Sequence, residues 1–439
     1  MIIGGLGYLS FVLTSILIWK PNKLLFTAIF FASFCASSVI SFSSFFLQPG
    51  HYFFILFLGV STVWIMSKEI KRVTVVYPNL LLFAFVIVAF LSIIISWALK
   101  IDVLVYGIGN NNQLKSSLVS RQNFTQFLYL VMGFIMYWCV YNYCCKGFSQ
   151  WKYVVRICGL SGCVVLLIGV YQIIAHTLGL PFDEIFRNSV KDMWQTKERV
   201  QATMGEASFL GQYCIYLAAI FAGGYKWCSN RLVRMASLAL LMVIGVLTRS
   251  TTFLLGAFAL FFSYGLFQRK TAKNVLKYMF IVIIGALAIV YLLQYNAKVQ
   301  LMFNSAISKF NLQSYSGIER STIFSYMLKV GLNYPILGIG YGGGRSTDLY
   351  ANILSNTGFV GFVIFASFII REFIILIKDK DSEGVQMCLL LLIGFLVTSW
   401  SMPDISYLPF WVIMAIIDSR CYYCRHHKRE RGYDPPILK

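Results

Sequence analysis

Charged residues are scarce in this sequence. They make up 12% of its 439 residues, whereas hydrophobic residues make up 58%, and soluble domains carry roughly 25% charged residues. Polar residues fall in short clusters between continuous apolar runs of about 15–24 residues, the length that crosses a hydrocarbon core. This composition excludes an ordinary soluble domain. It predicts an all-α, polytopic integral membrane protein.

Acidic residues are the scarcer of the two charge classes. The chain has 17 Asp and Glu against 37 Lys and Arg, a formal net charge of +20. In a soluble protein that excess would indicate nucleic-acid binding. No basic helix, base-stacking aromatic platform or zinc-finger spacing accompanies it here. Many basic residues lie beside apolar runs as ordinary cytoplasmic anchors, so we expect no nucleic-acid partner.

The apolar runs predict about thirteen membrane spans, within a range of 12–14, in a single polytopic domain over residues 1–439. The first run, near the N-terminus, lacks a basic leader and a small-residue cleavage site, so we expect it to be retained. No internal repeat is visible. The predicted spans lie near 3–19, 24–47, 52–67, 79–98, 125–145, 153–175, 207–225, 235–248, 250–267, 276–295, 353–376, 385–400 and 406–419.

Basic clusters between the spans give the orientation. The loops at 20–23, 68–72, 146–152, 226–234 and 268–273 and the tail at 420–439 are basic and alternate onto one side, which we assign to the cytoplasm. The opposite, periplasmic side receives three long loops, near 99–124, 176–206 and 296–352.

Cysteine is missing from those three loops, although the chain contains 11 cysteines. Their absence fits an oxidising, periplasmic location. Cys421 and Cys424 are followed by His426 and His427, but the spacing is compressed and no second ligand pair exists. We therefore expect reduced cysteines beside the membrane and no metal site.

The loop at 296–352 contains a segment, 317–333, that predicts a helix outside the membrane. One face of that helix carries Ile323, Phe324, Met327, Val330 and Gly331, and Arg320 falls in the middle of this apolar stripe. A buried arginine needs an anion or acceptors. Arg320 is therefore expected to form a structural ion pair, with Glu319 or Asp348, or to bind a ligand anion such as phosphate.

A glycine-rich stretch, "NYPILGIGYGGGRS" (333–346), follows this helix. It lacks the lysine of a phosphate-binding nucleotide loop, and no strand precedes it as in a dinucleotide fold. Glycines offer exposed backbone N–H groups and close approach to a ligand. Gly338, Gly340 and Arg345 are thus candidate anion- or sugar-binding residues, with a flexible connector as the alternative.

Two further polar positions stand next to apolar spans. Glu206 follows Arg199 in the segment 197–211 and lies at the start of a span. There it either caps the helix or holds a substrate hydroxyl or an arginine. Arg249 is the only charge in 235–267. Since two crossings need about 20 residues each, we expect Arg249 to be recessed and to face a cavity; a snorkelling helix-end arginine is the alternative.

Four arginines, Arg199, Arg249, Arg320 and Arg345, are therefore predicted to converge near the outer face. The planar guanidinium fork matches phosphate geometry. A diphosphate head group in the outer leaflet would suit such a cluster.

The chain resembles the O-antigen polymerase and O-antigen ligase superfamily. The motifs are "GEASFLG" (205–211) after Arg199, "LTRSTTF" around Arg249, Arg320, "PILGIGYGG" (335–343) and "YANILSNTGFVG" (350–361). Alanine stands at 207 where the family's motif has proline. The resemblance implies a GT-C-like membrane glycosyltransferase of the bacterial inner membrane. Such an enzyme would act at the periplasmic face on undecaprenyl-diphosphate-linked glycans, by an inverting transfer that needs no metal or cofactor.

Within that resemblance, Arg320, Arg249 and Arg199 would stabilise the departing diphosphate, with Arg345, Gly338 and Gly340 in substrate binding. Glu206 or Asp348 would accept or orient the proton of the acceptor hydroxyl. The ligase branch carries a histidine in its last large loop. None of the four histidines here lies in 296–352, where Thr347 and Asp348 occupy that place, and this favours a polymerase.

Two alternatives to a repeat-unit polymerase remain open: a ligase that transfers finished glycan to a lipid A core, and a lipid-linked oligosaccharide flippase. Transporters usually show inverted repeats and short loops on both sides, unlike this chain. The expected partners are the lipid-linked donor and acceptor glycans, membrane lipid, a chain-length regulator and a separate flippase.

Overall fold

The computed structural model describes residues 2–42, 45–67, 76–107, 113–189, 199–223, 228–267, 315–379 and 382–431. Within these ranges the chain is mostly helical, with two small antiparallel sheets. The predicted span at 276–295, the basic loops at 68–72 and 268–273 and the end of the tail beyond 431 lie outside the described residues.

The helices are numbered in chain order over the described residues. They are α1 (Gly5–Leu17), α2 (Pro21–Phe31), α3 (Pro49–Met66), α4 (Leu80–Ala98), α5 (Arg121–Cys145), α6 (Phe148–Leu178), α7 (Asp183–Phe186), α8 (Ala207–Ala222), α9 (Arg231–Leu247), α10 (Thr251–Phe267), α11 (Tyr315–Asn333), α12 (Leu349–Lys378), α13 (Val385–Thr398) and α14 (Leu408–Arg431). The strands are β1 (Ile2–Ile3), β2 (Ile40–Phe42), β3 (Phe45–Leu47), β4 (Leu104–Tyr106) and β5 (Leu114–Ser116).

Five of the described helices are long and apolar enough to cross a membrane: α3, α4, α5, α6 and α12. Shorter apolar helices lie at Gly5–Leu17, Ala207–Ala222, Thr251–Gly265 and Val385–Thr398. These helices coincide with predicted spans. The structure therefore supports a helical membrane protein, with five spans meeting the length criterion against the 12–14 expected.

The predicted span at 24–47 is wrong. The helix there, α2, ends at Phe31 after 11 residues, and the chain then forms β2 and β3, which pair with each other and with β1. Serine hydroxyls explain the break, because they bond to distant elements. Ser33 Oγ lies 2.9 Å from Ser161 Oγ, and Ser37 Oγ donates to the carbonyl oxygen of Phe186 at 2.5 Å.

The helices pack around one large apolar core. Within it α5 lies against α14, α4 against α12, and α8 against both α10 and α13. The predicted helix at 317–333 is confirmed as α11, which packs along α12. Its Ile323, Met327 and Val330 side chains are buried in a smaller cluster with Val105 and Ile339. The stripe that the sequence predicts is thus the face that α11 buries.

Helix α12 is interrupted at Gly358, where φ is 65° and ψ is −170°. The glycine-rich stretch enters this break. The N–H of Phe359 donates to the carbonyl oxygen of Pro335 at 2.6 Å, and that of Val360 to Ile336 at 3.3 Å. A Cβ atom at Gly358 would lie 2.2 Å from the carbonyl oxygen of Ile336. Only glycine permits both this backbone conformation and this approach.

Candidate functional site

Arg199 ties the loop before α8 to the tip of the α9–α10 hairpin. Its Nε donates to the carbonyl oxygen of Thr248 at 2.9 Å, and its Nη2 lies 3.5 Å from the carbonyl oxygen of Arg249. The N–H of Val200 continues this contact by donating to Leu247 at 3.2 Å. The guanidinium of Arg199 therefore holds in place the turn that carries Arg249.

Arg249 occupies that turn in the left-handed backbone region, with φ +48°. Non-glycine residues adopt this conformation rarely, and they do so mostly at turns and functional sites. The side chain is exposed at the hairpin tip. Helices α9 and α10 have 17 residues each, about 25 Å, slightly less than a hydrocarbon core of about 30 Å. The predicted recessed position of Arg249 remains a prediction.

Arg320 is exposed, although it lies on the same stripe of α11 as the buried Met327. Helix α12 packs against only part of α11. Gly331, near the end of α11, contacts Leu354 of α12. The carbonyl oxygen of Arg320 instead accepts a hydrogen bond from Thr347 Oγ1 at 3.1 Å, in the loop before α12. Arg320 thus lies past the part of α11 that α12 covers.

The pKa of Arg199 reflects the charged groups that lie near it. Burial lowers the pKa of Arg199, and the nearby positive charges of Arg320 and Arg249 also lower this pKa, whereas the Glu206 carboxylate raises it. The side chains of Arg249, Arg320 and Glu206 therefore lie within electrostatic reach of Arg199. We call Arg199, Arg249 and Arg320, with Glu206, the arginine cluster. Of its four charges, three are positive and one is negative.

Glu206 is the residue before the first turn of α8, and its side chain does not cap the helix. Instead, its Oε2 accepts a hydrogen bond from Ser208 Oγ at 3.0 Å, and the side chain is half-buried. The capping role is thus absent from the structure, and the alternative, that Glu206 holds a substrate hydroxyl or a neighbouring arginine, stays a prediction.

Arg187, which the sequence did not identify as a site residue, holds the loop before α8 in place. It is 1% exposed. Its Nη2 donates to the carbonyl oxygen of Gly205 at 3.2 Å, and its Nη1 to Asp183 Oδ1 at 3.4 Å. An arginine so deeply buried fixes the backbone immediately before Glu206. The available signal was the spacing of four residues between Asp183 and Arg187 on a short helix.

Arg345 makes a different contact. Its Nη2 lies 2.7 Å from Asp404 Oδ2 in an ion pair, with the two side chains 29% and 24% exposed. Its N–H donates to the carbonyl oxygen of Tyr106 at 2.9 Å. The structure therefore gives Arg345 a carboxylate partner of its own, Asp404.

Asp348 is the N-cap of α12. Its Oδ1 accepts from the N–H of Ala351 at 2.8 Å and its Oδ2 from Ser346 Oγ at 2.7 Å. The residue is 1% exposed, and burial raises the pKa of its carboxyl while these hydrogen bonds lower it. Because both oxygens already accept hydrogen bonds, this geometry fits a capping role better than proton transfer from a substrate.

Gly338 and Gly340 adopt φ values of +67° and +95°. A Cβ atom at Gly338 would lie 2.4 Å from the carbonyl oxygen of Ser355, so the stretch packs tightly on α12. Many N–H groups in the stretch, among them those of residues 339, 341, 343, 344 and 345, donate to protein acceptors. These glycines serve close packing, and their predicted ligand contacts remain predictions.

No group of three or more His, Cys, Asp or Glu side chains that could hold a metal ion occurs among the described residues. No family model matches the chain, and no curated protein matches it. The relation to O-antigen polymerases and ligases therefore remains a resemblance that rests on the motifs quoted above.

Proposed function

We propose that this chain is a membrane glycosyltransferase that polymerises undecaprenyl-diphosphate-linked oligosaccharide repeat units. Its product would be O-antigen, in lipopolysaccharide biosynthesis, or a similar surface polysaccharide. The observation that carries the proposal is the arginine cluster, in which Arg199 lies within electrostatic reach of two other arginines and of a single carboxylate, all from separate parts of the chain. A fold that places like charges together needs an anion to offset their repulsion.

The anion that fits is a diphosphate. As the anomeric C–O bond breaks, negative charge builds on the departing undecaprenyl diphosphate. Arg199 is partly buried and is held by two backbone carbonyl groups, so its charge is already oriented before the reaction. Preorganised charge of this kind stabilises a transition state strongly, because little reorganisation is needed when the leaving group departs. Arg249 and Arg320 are both exposed at the surface of the protein, where a lipid-linked substrate can reach them.

The transfer also needs a proton acceptor. The acceptor sugar's hydroxyl oxygen bonds to the anomeric carbon of the donor, the bond from that carbon to the diphosphate breaks, and the hydroxyl proton must leave. We assign the proton to Glu206, whose Oε2 accepts a hydrogen bond from the Ser208 hydroxyl. Attack from the face opposite the diphosphate inverts the anomeric configuration. Asp348 holds the start of α12 in place.

The proposed setting is the periplasmic face of the bacterial inner membrane, in a GT-C-like fold. The basic loops and the basic tail support a cytoplasmic location for the opposite end of the helix bundle. A flippase would deliver repeat units to this face, and a chain-length regulator would act on the growing glycan.

The test is reconstitution. The full-length protein in liposomes, supplied with the undecaprenyl-diphosphate-linked repeat unit of its own bacterium, should produce a ladder of glycan lengths. One undecaprenyl diphosphate should be released per bond. Absence of a ladder with that substrate would refute the proposal. Transfer only when lipid A core is added would identify a ligase, and movement of labelled lipid without a new glycosidic bond would identify a flippase.

A further inference from the structure

Two carboxylates, Glu372 of α12 and Asp418 of α14, are buried close together. Glu372 is 0% exposed and Asp418 is 1% exposed. Glu372 lies in the last two turns of α12, at the opposite end of that helix from its N-cap, Asp348. Carboxylates are almost never fully buried unless they are paired. In a membrane protein, a buried ionisable pair of this kind is a candidate functional site.

One oxygen of each carboxylate accepts hydrogen bonds from neighbouring helices. Oε1 of Glu372 accepts from Arg371 Nη1 at 2.8 Å and from Asn79 Nδ2 at 3.2 Å. Oδ2 of Asp418 accepts from the Tyr137 hydroxyl at 2.5 Å. Asn79 is the N-cap of α4, and Tyr137 belongs to α5. The two carboxylates therefore join α12 and α14 to both of these helices.

The other oxygen of each carboxylate, Oε2 of Glu372 and Oδ1 of Asp418, is buried and has no hydrogen-bond partner among the described residues. Asp418 Oδ1 lies 4.0 Å from Arg371 Nη1 and 3.6 Å from Arg425 Nη2, beyond hydrogen-bonding distance. A buried anionic oxygen without a donor is costly. Two carboxylates that share a site also repel each other, which favours a proton on one of them.

The positive charge around the pair is unevenly placed. Arg371 and Arg425 are 31% and 39% exposed, so water solvates part of their charge while the carboxylates stay buried. Asp418 lies within 4.0 Å of both guanidinium groups, and the ion-pair contact of Glu372 is with Arg371. Asp418 is therefore the better stabilised anion, and Glu372 is the group that a proton would neutralise.

Titratable groups on the neighbouring helices do not change this balance. Thiol and phenol groups are neutral at neutral pH. The positive charges that face the carboxylates in the described part of the chain are thus those of the two arginines, and α4 contributes the neutral amide of Asn79. The thiols and phenols around the pair are Tyr137, Tyr141 and Cys145 of α5, Cys388 of α13 and Cys421 of α14.

We infer that Glu372 and Asp418 bind one proton between them at neutral pH, with the proton on Glu372. A proton on Oε2 of Glu372 turns an anionic oxygen without a donor into an O–H donor, and Oδ1 of Asp418 is an available acceptor. One proton therefore satisfies both oxygens. The ligand of this site is a proton, and the inference does not depend on the proposed function.

A bound proton makes the stability of the protein depend on pH. A glutamate in an unfolded chain is ionised at neutral pH, so unfolding releases the proton that the folded chain holds. The folded state therefore loses stability as the pH rises through the neutral range. One proton changes the unfolding equilibrium constant by about tenfold per pH unit wherever the folded chain keeps the proton and the unfolded chain does not.

Amide substitutions in the full-length protein, in lipid nanodiscs, test the inference. Glu372→Gln replaces the carboxylic acid with a neutral group of the same shape that still donates a hydrogen bond. Asp418→Asn removes the charge that faces both guanidinium groups. Glu383→Gln is the matched control, because Glu383 is 56% exposed and pairs with Lys152. The measurements are the melting temperature against pH and the infrared C=O stretching band of a protonated carboxylic acid, which shifts in D₂O.

The wild-type protein and the Glu383→Gln control should show the acid band at neutral pH, and Glu372→Gln should lack it. Glu372→Gln should melt within about 2 °C of the wild type at mildly acidic pH and above the wild type at alkaline pH. Asp418→Asn should melt lower throughout. A wild-type protein without the band, or a band that persists in Glu372→Gln, overturns the inference. A Glu372→Gln protein that fails to fold or melts well below the wild type at neutral pH also overturns it, because Glu372 would then be needed as an anion.

Discussion

Replacing Arg320 with alanine separates a catalytic role for the arginine cluster from a structural one. Arg320 is exposed on α11, and its hydrogen bond with Thr347 uses the backbone carbonyl oxygen, which alanine retains. Exposed substitutions of this kind usually change stability by less than about 0.5 kcal/mol. For a chain of this size we therefore expect a melting temperature within about 2 °C of the wild type.

The expected catalytic loss is much larger. If Arg320 stabilises charge on the leaving diphosphate, its removal should cost about 3 kcal/mol of transition-state stabilisation, roughly a hundredfold to a thousandfold in rate. Arg320→Lys keeps the charge but lacks the planar fork, so it should recover only part of the rate. Lys329→Ala is the matched control, because Lys329 is also an exposed cation on α11 but points away from the cluster.

The assay measures the lengths of the glycans made by liposomes that contain purified protein and lipid-linked repeat units. The lengths of the glycans at the cell surface are measured in parallel. Arg320→Ala should yield surface glycans capped with single repeat units, while Lys329→Ala yields full-length polymer. Full-length polymer from folded Arg320→Ala protein would refute the assigned role. Equal losses in both variants would show that charge on α11 in general, and not the arginine cluster, supports activity.

Three further predictions concern the stability of the helices. Asp348→Asn should keep its cap and polymer formation, whereas Asp348→Ala should lose about 1 kcal/mol of stability in thermal unfolding. Gly358→Ala should destabilise the protein by about 3 kcal/mol or more by the same measurement, since φ is 65° and the new Cβ would meet the carbonyl oxygen of Ile336 at 2.2 Å. Tyr137→Phe removes a hydroxyl that donates to Asp418 Oδ2 at 2.5 Å, a carboxylate only 1% exposed, and should lower the melting temperature through a loss of about 1.5–3 kcal/mol.

Controls and contrary outcomes differ among these variants. Gly59→Ala is the control for Gly358→Ala, because a Cβ atom at Gly59 would meet nothing within 4 Å; similar melting temperatures for both would show that the break in α12 is not strained. Loss of polymer in a fully stable Asp348→Asn protein would assign the carboxylate to proton transfer. An unchanged melting temperature in Tyr137→Phe would mean that another group takes over the hydrogen bond.

The sequence identified the members of the arginine cluster because charge is conspicuous in an apolar chain. Arg249 is the only charge in 235–267, and Arg199 introduces the segment before a span. Their actual contact, from Arg199 Nε to the backbone of Thr248, joins residues 49 positions apart. No local pattern encodes such a contact, since it depends on how α8 and α9 pack. The same holds for the contact of Arg187 with the carbonyl oxygen of Gly205, although the spacing of Arg187 from its other partner, Asp183, is visible in the sequence.

Run length alone failed at 24–47. The segment is apolar enough on average to resemble a span, but its hydroxyl groups decide the structure. Ser33 and Ser37 bond to Ser161 and to the backbone of Phe186. Serines compete with the helix for hydrogen bonds, and here distant partners satisfy them. An average over hydropathy cannot distinguish serines that face a helix from serines that face other elements.

The glycine-rich stretch shows how packing can serve a site without touching its ligand. Its glycines allow the chain to enter the break in α12 at Gly358, where Phe359 and Val360 donate to the carbonyl groups of Pro335 and Ile336. Once that end is fixed, the next ten residues have little freedom, because their N–H groups donate to α4, to α12 and to β4. They deliver Arg345 to Asp404 and Thr347 to the backbone of Arg320. A substitution that fills the break should therefore disturb both the Arg345–Asp404 ion pair and the contact of Thr347 with Arg320, although both lie apart from Gly358 in the sequence.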